Sequence, residues 1–238
     1  MINNIFMMAT QSSTIDAIIA VVLLITAYII GSIPFGIVVG KGIKHIDIRE
    51  YGSKNIGTTN AIRVLGKKLG LFVFALDVFK GIVIILLVKL LGINGVYNSP
   101  IDDIFYGVAA IIGHGFPIFL NFKGGKVVAT SLGVILVISP TAALVCLVVF
   151  YLTLKLSGYV SLASTFATLS VFTVALVLYF VGVTPTNFGE YFIVQTSLTK
   201  MILISLTALL IIVKHRKNYV RLIKGTENSF KKKKEIKA

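Results

Sequence analysis

Residues 127–156 read VVATSLGVILVISPTAALVCLVVFYLTLKL (Val127–Leu156). How often this stretch crosses a membrane decides the topology of the whole chain. A span takes about 20 residues, in a range of about 17–25, so the run is too long for one comfortable crossing. It is also interrupted at Ser139-Pro140, where proline removes a backbone N–H and disfavours helix in the residue before it. Charge decides between one crossing and two. The segment Lys41–Lys68 carries seven Lys/Arg and Lys214–Ala238 carries ten, whereas the N-terminal tail, Gly92–Asp103 and Gly182–Thr199 carry none. A single crossing would put the two basic segments on opposite sides. A hairpin at Ser139-Pro140 puts both inside, together with Lys123, Lys126 and Lys155, as the positive-inside rule favours.

The remaining apolar runs are Asp16–Val39, Leu69–Leu91, Ile104–Leu120, Val160–Val183 and Lys200–Val213. With the hairpin they make an all-α, polytopic integral membrane protein of seven transmembrane helices. The N-terminus lies outside and the C-terminus in the cytosol. The two halves of the hairpin are short, about 13 and 16 residues, a mismatch that tilt, local thinning and snorkelling absorb. Composition agrees: of 238 residues 56% are hydrophobic and only 13% charged, which excludes an ordinary soluble domain. The net charge of +14 sits in short segments between apolar runs, so no nucleic-acid face is expected. The single cysteine, Cys146, excludes a disulfide framework and a Cys-rich metal site. No basic residue precedes Lys41, so the first apolar run reads as a retained span, not a cleaved signal peptide. The chain reads as one membrane-embedded domain over residues 1–238. Lys231–Lys234 make residues 231–238 a disordered polybasic tail drawn to anionic lipid.

With this topology the polar pieces share the cytosolic side. In Lys123-Gly124-Gly125-Lys126 the glycines are free to take φ > 0. Their amides can then point into a concavity between two lysines at the start of a helix, a composition suited to phosphate. A tight turn with two cytosolic anchors accounts for it equally. The loop Gly52-Ser-Lys-Asn-Ile-Gly-Thr-Thr-Asn60 offers Ser53, Thr58, Thr59 and Asn60 as partners, and Arg63 is able to hold a phosphate in bidentate fashion. Neither loop has the G-x-x-x-x-G-K-[ST] spacing of a Walker site. Asp77 and Lys80 share a helical face inside a span, where ionisable side chains pair or line a polar cavity. His114, near the middle of the third span, reads as a helix-to-helix hydrogen bonder. Ser161 and Ser164 start the sixth span at i, i+3, either to extend a phosphate site or to cap and pack. His215, Asn218 and Arg221 recur every three residues, sharing a face if the helix continues. A histidine there suits a general base near neutral pH, and a positive-inside anchor explains its basic neighbours but not Asn218 or Glu227.

Six motifs in series resemble the bacterial acyl-phosphate:glycerol-3-phosphate acyltransferase family, the PlsY type. They are GSIPFG (31–36), GSKNIGTTNAIR (52–63), LDVFKG (76–81), GHGFPIFLNFKGGKVVAT (113–130), VSLAS (160–164) and HRKNYVRLIKGTE (215–227). The resemblance implies an enzyme of the bacterial cytoplasmic membrane with its active site at the cytosolic face. It would move an acyl group from acyl phosphate to the sn-1 hydroxyl of glycerol 3-phosphate. The products would be 1-acylglycerol 3-phosphate (lysophosphatidic acid) and inorganic phosphate, the first step of bacterial phospholipid synthesis. It implies no cofactor and no metal. The partners would be the two substrates, membrane lipids and the enzyme that makes acyl phosphate.

By motif, His215, Asn218, Ser53 and Arg63 are the catalytic candidates. Gly52, Asn55, Gly57, Thr59, Asn60, Lys123, Gly124, Gly125, Lys126, Ser161, Ser164 and Glu227 are the substrate-binding candidates. The chain departs from the family pattern at Lys54, Thr58 and Val127, where the family usually has Gly, Ala and Gly. Lys54, a charge beside a phosphate site, bears on affinity more than on the reaction. The alternative is a membrane transporter of an organic phosphate. That reading needs polar sites exposed in turn to both sides, which the plain outer loops do not supply, and no inverted repeat is visible.

Overall fold

The computed structural model of the chain describes residues 2–181 and 197–230. Of residues 2–12 it describes only the backbone. The 231–238 tail, and all but Ser197–Thr199 of the 182–199 connection, which carries no Lys or Arg, lie outside the described residues. The helices are α1 (Ile2–Ser32), α2 (Phe35–Lys44), α3 (Thr58–Leu65), α4 (Lys67–Ile93), α5 (Ile104–Gly115), α6 (Val128–Ile138), α7 (Pro140–Ser157), α8 (Val160–Val181), α9 (Leu198–Lys214) and α10 (Arg216–Ile223), with a 3-10 turn at Ile118–Leu120. No strand occurs among the described residues, as expected of an all-α chain. Residues 13–32 of α1, α4, α7 and α8 are each long and apolar enough to cross a bilayer. The pair α9 and α10, bent by 48°, makes a fifth if counted as one span. Helices α5 and α6 are apolar but only 12 and 11 residues long.

The helix break expected in the long apolar run is present: α6 ends at Ile138 and α7 starts at Pro140. Proline there occupies the first helical position, where its missing N–H removes no helical bond. Two runs read as continuous are broken, each by the same device. Asp16–Val39 stops at Ser32 because Ile33 precedes Pro34, and the chain resumes as α2 with Ile37 and Val38 N–H bonded to the Pro34 carbonyl at 2.9 and 3.0 Å. Ile104–Leu120 stops at Gly115 ahead of Phe116-Pro117. His114 therefore lies in the last turn of α5, not near the middle of a span.

The chain forms two compact units, Met1–Ile138 and Ser139–Ala238. In the first, α4 carries small, polar and β-branched residues inward (Val73, Asp77, Lys80, Gly81, Ile84, Ile85) and leaves Leu71, Phe72, Phe79 and Leu86 exposed. That arrangement suits lipid on the outside, where bulk apolar surface has no reason to be hidden. The helices meet backbone to backbone on small residues: Gly31 lies against Ala110, Gly113 against Tyr28 and Ser32, and Gly81 against Thr130. At the end of the unit that holds the motifs, Ile37, Val39, Ile48, Ile56, Ala61, Leu65 and Val73 form one core, which fixes α2, α3 and the loop between them on α4.

In the second unit Gly158, at φ 80, ends α7 and returns its N–H to the Leu154 carbonyl at 2.8 Å. Its own carbonyl accepts the Phe230 N–H at 2.8 Å. The segment after α10 is thereby tied to the α7–α8 turn, next to the start of α8.

Candidate functional site

The candidate residues fall in both units, and each set is built by its own unit. In the first, the loop from Asp47 to Gly57 is pinned at both ends. The Asp47 carboxylate takes Arg49 Nε at 3.0 Å and Arg49 Nη2 at 2.7 Å, and lies 3.2 Å from Lys41 Nζ. The Arg49 side-chain hydrogen bonds hold the Asp47 carboxyl well below the usual carboxylate range, and the same pair raises Arg49. Asn60, fully buried on α3, accepts the Ser53 N–H at 2.8 Å. It donates to the Ile48 and Tyr51 carbonyls at 2.7 and 3.2 Å. Its amide is therefore occupied in holding the loop.

A Cβ at Gly52, where φ is 60°, would fall on the Asn60 side-chain oxygen. Asn55 accepts the Gly57 N–H at 2.9 Å, an Asx turn that leads into α3. Ser53 and Arg63 are exposed, and Thr59 is half-buried. The three departures from the family pattern fall at positions with a structural cost. Lys54 and Val127 hold φ of 58° and 60°, a region that a Cβ disfavours and a β-branched side chain most of all. The Thr58 hydroxyl is buried without a hydrogen-bond partner among the described residues.

Lys123–Lys126 differs from expectation. Neither Gly124 nor Gly125 has a positive φ; the left-handed residues nearby are Asn121, Phe122 and Val127. The glycines are required by close approach instead. A Cβ on Gly124 would strike the His114 carbonyl and Pro117, and one on Gly125 would strike His114 Nε2. Nor do both amides point into an open concavity, because Gly125 N–H donates to the His114 carbonyl at 3.0 Å. Lys123 is exposed and Lys126 half-buried.

Beneath this loop Lys80 Nζ lies 2.9 Å from Asp77 Oδ1, with side-chain exposures of 1% and 2%. The same oxygen is 3.6 Å from His114 Nδ1. Lys80 also donates to the Ile33 carbonyl at 3.1 Å and lies 5.6 Å from the centre of the Phe35 ring. The expected helix-face pair is formed, and His114 is the third member of its cluster.

In the second unit the Glu227 carboxylate gathers three donors. Asn218 Nδ2 reaches Oε1 at 2.7 Å, Arg221 Nε reaches Oε2 at 2.7 Å, and the Ser161 hydroxyl reaches Oε1 at 3.3 Å. Glu227, expected to touch substrate, thus fixes side chains of α8 and α10, and its negative charge is matched to donors of the protein. Ser161 is engaged there, and Ser164 lies buried one turn on. The shared face expected for His215, Asn218 and Arg221 is kept for the last two only, because α9 ends at Lys214 and His215 occupies the bend. His215, 2% exposed, bonds through Nδ1 to the Ile211 carbonyl at 2.8 Å. A carbonyl can only accept, so Nδ1 carries the proton, and Nε2 is the ring nitrogen that would act as a base whenever the ring is neutral.

The sequence reading missed Tyr219, whose hydroxyl meets Thr165 at 2.7 Å and whose ring centre is 6.3 Å from that of His215. Its place one turn after His215, with Thr165 one turn after Ser161, is the signal that was available. No cluster of three or more metal-ligating side chains occurs among the described residues.

The architecture and these two sets of polar groups define a class: a helical integral membrane protein in which buried hydrogen-bonded and ion-paired side chains support basic, glycine-containing loops. Comparison with known proteins narrows it. Residues 21–225 match the family model "Glycerol-3-phosphate acyltransferase". A glycerol-3-phosphate acyltransferase of Acholeplasma laidlawii is 40% identical over 226 residues, 90% of this chain and 94% of that protein. The one from Macrococcus caseolyticus is 44% identical over 205 residues, 86% and 94% of the two chains. A crystal structure of PlsY (YgiH), an integral membrane glycerol 3-phosphate acyltransferase in its glycerol 3-phosphate form, is similar with a TM-score of 0.73 and 40% identity, covering 89% of this chain and 96% of that one. Its lysophosphatidic acid form gives a TM-score of 0.71. The chain belongs to the glycerol-3-phosphate acyltransferase family.

Proposed function

We propose that this protein transfers an acyl group from acyl phosphate to the sn-1 hydroxyl of glycerol 3-phosphate, releasing lysophosphatidic acid and inorganic phosphate. The observation that carries this reading is the family match over residues 21–225, together with relatives solved in glycerol 3-phosphate and lysophosphatidic acid forms. The chemistry fits the residues. Acyl phosphate is a mixed anhydride with a good leaving group, so no covalent enzyme intermediate is needed. The glycerol hydroxyl oxygen bonds to the acyl carbon, its proton passes to His215 Nε2, and the bond from that carbon to the phosphate oxygen breaks. A substrate phosphate oxygen is the other candidate base. Holding the hydroxyl about 3–3.5 Å from the acyl carbon supplies much of the rate. Arg63, Lys123, Lys126, Ser53 and Ser164 are the donors for the substrate phosphates, and charge building on the departing phosphate is stabilised by such groups. Asn218, held by Glu227, orients the acceptor.

The finer reading of the topology is seven spans with the N-terminus outside. Helices α5 and α6 are then short crossings, and the basic loops and active site face the cytosol at the bacterial cytoplasmic membrane. It is supported by the distribution of Lys and Arg. Acyl phosphate is itself membrane-bound, so coupling to the enzyme that makes it follows naturally. The test is inorganic phosphate release from palmitoyl phosphate by the purified protein, with and without glycerol 3-phosphate. Acceptor-dependent release that yields lysophosphatidic acid is expected. Acyl transfer from a thioester alone would overturn the donor assignment, and no acyl transfer at all would overturn the reading.

A further inference from the structure

Asp77, Lys80 and His114 have no role in the reaction written above, yet the fold buries all three. A buried ion pair is a poor source of stability, because the cost of stripping water from both charges rivals their attraction, and apolar replacements of similar volume often serve as well. The cluster is better explained by what it touches. Lys80 bonds the Ile33 carbonyl, which lies in the break between α1 and α2 and also accepts the Phe35 N–H at 3.1 Å. Asp77 lies between Lys80 Nζ and His114 Nδ1, at 2.9 and 3.6 Å. The second distance is too long for a direct hydrogen bond but well inside electrostatic reach. The opposite edge of the His114 ring is the surface against which Gly125 sits, and the His114 carbonyl takes the Gly125 N–H. One continuous set of contacts therefore runs from the α1–α2 break through α4 to the Lys123–Lys126 loop.

We propose that Asp77, Lys80 and His114 are positioning residues for that loop: the ring of His114, held by Asp77, is the platform on which Gly125 rests, and it sets where Lys123 and Lys126 meet the phosphate of the acceptor. The inference rests on the reading of this loop as a glycerol 3-phosphate site. It explains why residues 124 and 125 are glycine although neither has a positive φ. The platform leaves no room for a Cβ at 125, and the backbone needs no special conformation there. It also assigns the cluster to acceptor binding and not to the chemical step, since none of the three is among the reacting groups.

The test is a double-mutant cycle between His114 and Gly125 in the full-length protein, read as KM for glycerol 3-phosphate and kcat for phosphate release. Gly125→Ala forces its Cβ into the ring. It is expected to raise KM about tenfold with kcat within about threefold of wild type, the scale of a modest overpacking strain. His114→Ala removes the ring and raises KM by a smaller factor. The decisive variant is the pair: with the ring gone the new Cβ has room, so His114→Ala/Gly125→Ala should return KM to within about threefold of His114→Ala alone, a coupling that independent sites do not show. Should His114→Ala not fold, His114→Ser keeps a small polar group facing Asp77 and serves as the second background. Additive defects, or a Gly125→Ala variant that loses kcat at unchanged KM, would overturn the inference while leaving the acyl-transfer reading in place. A wild-type protein with no acceptor-dependent turnover would overturn that reading, and the inference with it.

Discussion

Lys54 and Val127 hold nearly the same backbone angle, φ 58° and 60°, and replacing each by glycine should move stability in opposite directions. A left-handed backbone costs a residue with a Cβ about 1–2 kcal/mol, and up to about 3 kcal/mol at the most strained positions. Glycine removes that strain but gives the unfolded chain extra freedom, offsetting about 0.5–1 kcal/mol. For Lys54 no other term enters, because its side chain is exposed. Lys54→Gly is therefore expected to stabilise by about 0.5–1 kcal/mol. Val127 is 0% exposed, so glycine also forfeits the burial of a whole side chain, about 1.5–3 kcal/mol. With strain relief near 2 kcal/mol the losses win, and Val127→Gly should destabilise by about 1 kcal/mol.

Thermal unfolding of both variants in the same detergent reads the difference. A change of 1 kcal/mol corresponds to about 2–4 °C in a chain of about this length, so the two should separate by several degrees around wild type. Loss of stability in Lys54→Gly would refute the assignment of strain to that turn. An equal gain in Val127→Gly would refute the argument that burial outweighs it.

Four further outcomes are expected. Thr58→Ala should stabilise by about 1 kcal/mol, since it removes a buried hydroxyl with no partner among the described residues; a measurable loss in chemical denaturation would mean the hydroxyl is satisfied in solution. His215→Ala should lower kcat by about 100-fold or more, as loss of a general base does, with the KM for glycerol 3-phosphate nearly kept. Gly124→Ala should do the reverse, because its Cβ meets the His114 carbonyl and Pro117 and displaces the loop; steady-state kinetics showing the two phenotypes exchanged would reverse the roles. The Asp47 carboxyl is depressed below its ordinary value of 3.8. It therefore adds stability that is complete above that value and is lost only as pH falls through the lower folded value. Asp47→Asn should remove this acid-side dependence and leave the rest of the pH–stability curve unchanged, as followed by melting temperature from pH 7 down to the acid limit of the detergent sample.

Features set by local chemistry were legible in advance. Ser139-Pro140 ends one helix and starts another because proline lacks a donor and restricts the residue before it, whatever surrounds it. The same rule applied to Ile33-Pro34 and Phe116-Pro117 would have found the two breaks that were missed, and it would have moved His114 to the end of α5. His215, Asn218 and Arg221 were read as one face, but helix α9 stops at Lys214 and turns at the histidine, leaving Asn218 and Arg221 to share Glu227. The glycines at 124 and 125 were read as free to take a positive φ, whereas in the structure they serve close approach: a glycine-rich turn looks the same in sequence whether it needs a positive φ or room for a neighbour.

By itself, then, the sequence determined that the chain is helical and membrane-embedded, and where its basic segments and candidate motifs lie. In lipid every backbone polar group must be satisfied within its own segment, so apolar length and charge placement are local quantities that reveal spans directly. Only the tertiary structure decided what each polar residue does. Asn60 closes a loop through Ile48, His114 forms the floor under Gly125, and Glu227 reaches a serine 66 residues away. These roles depend on which groups the fold brings within about 3 Å of one another. Spacing along one chain does not encode that distance.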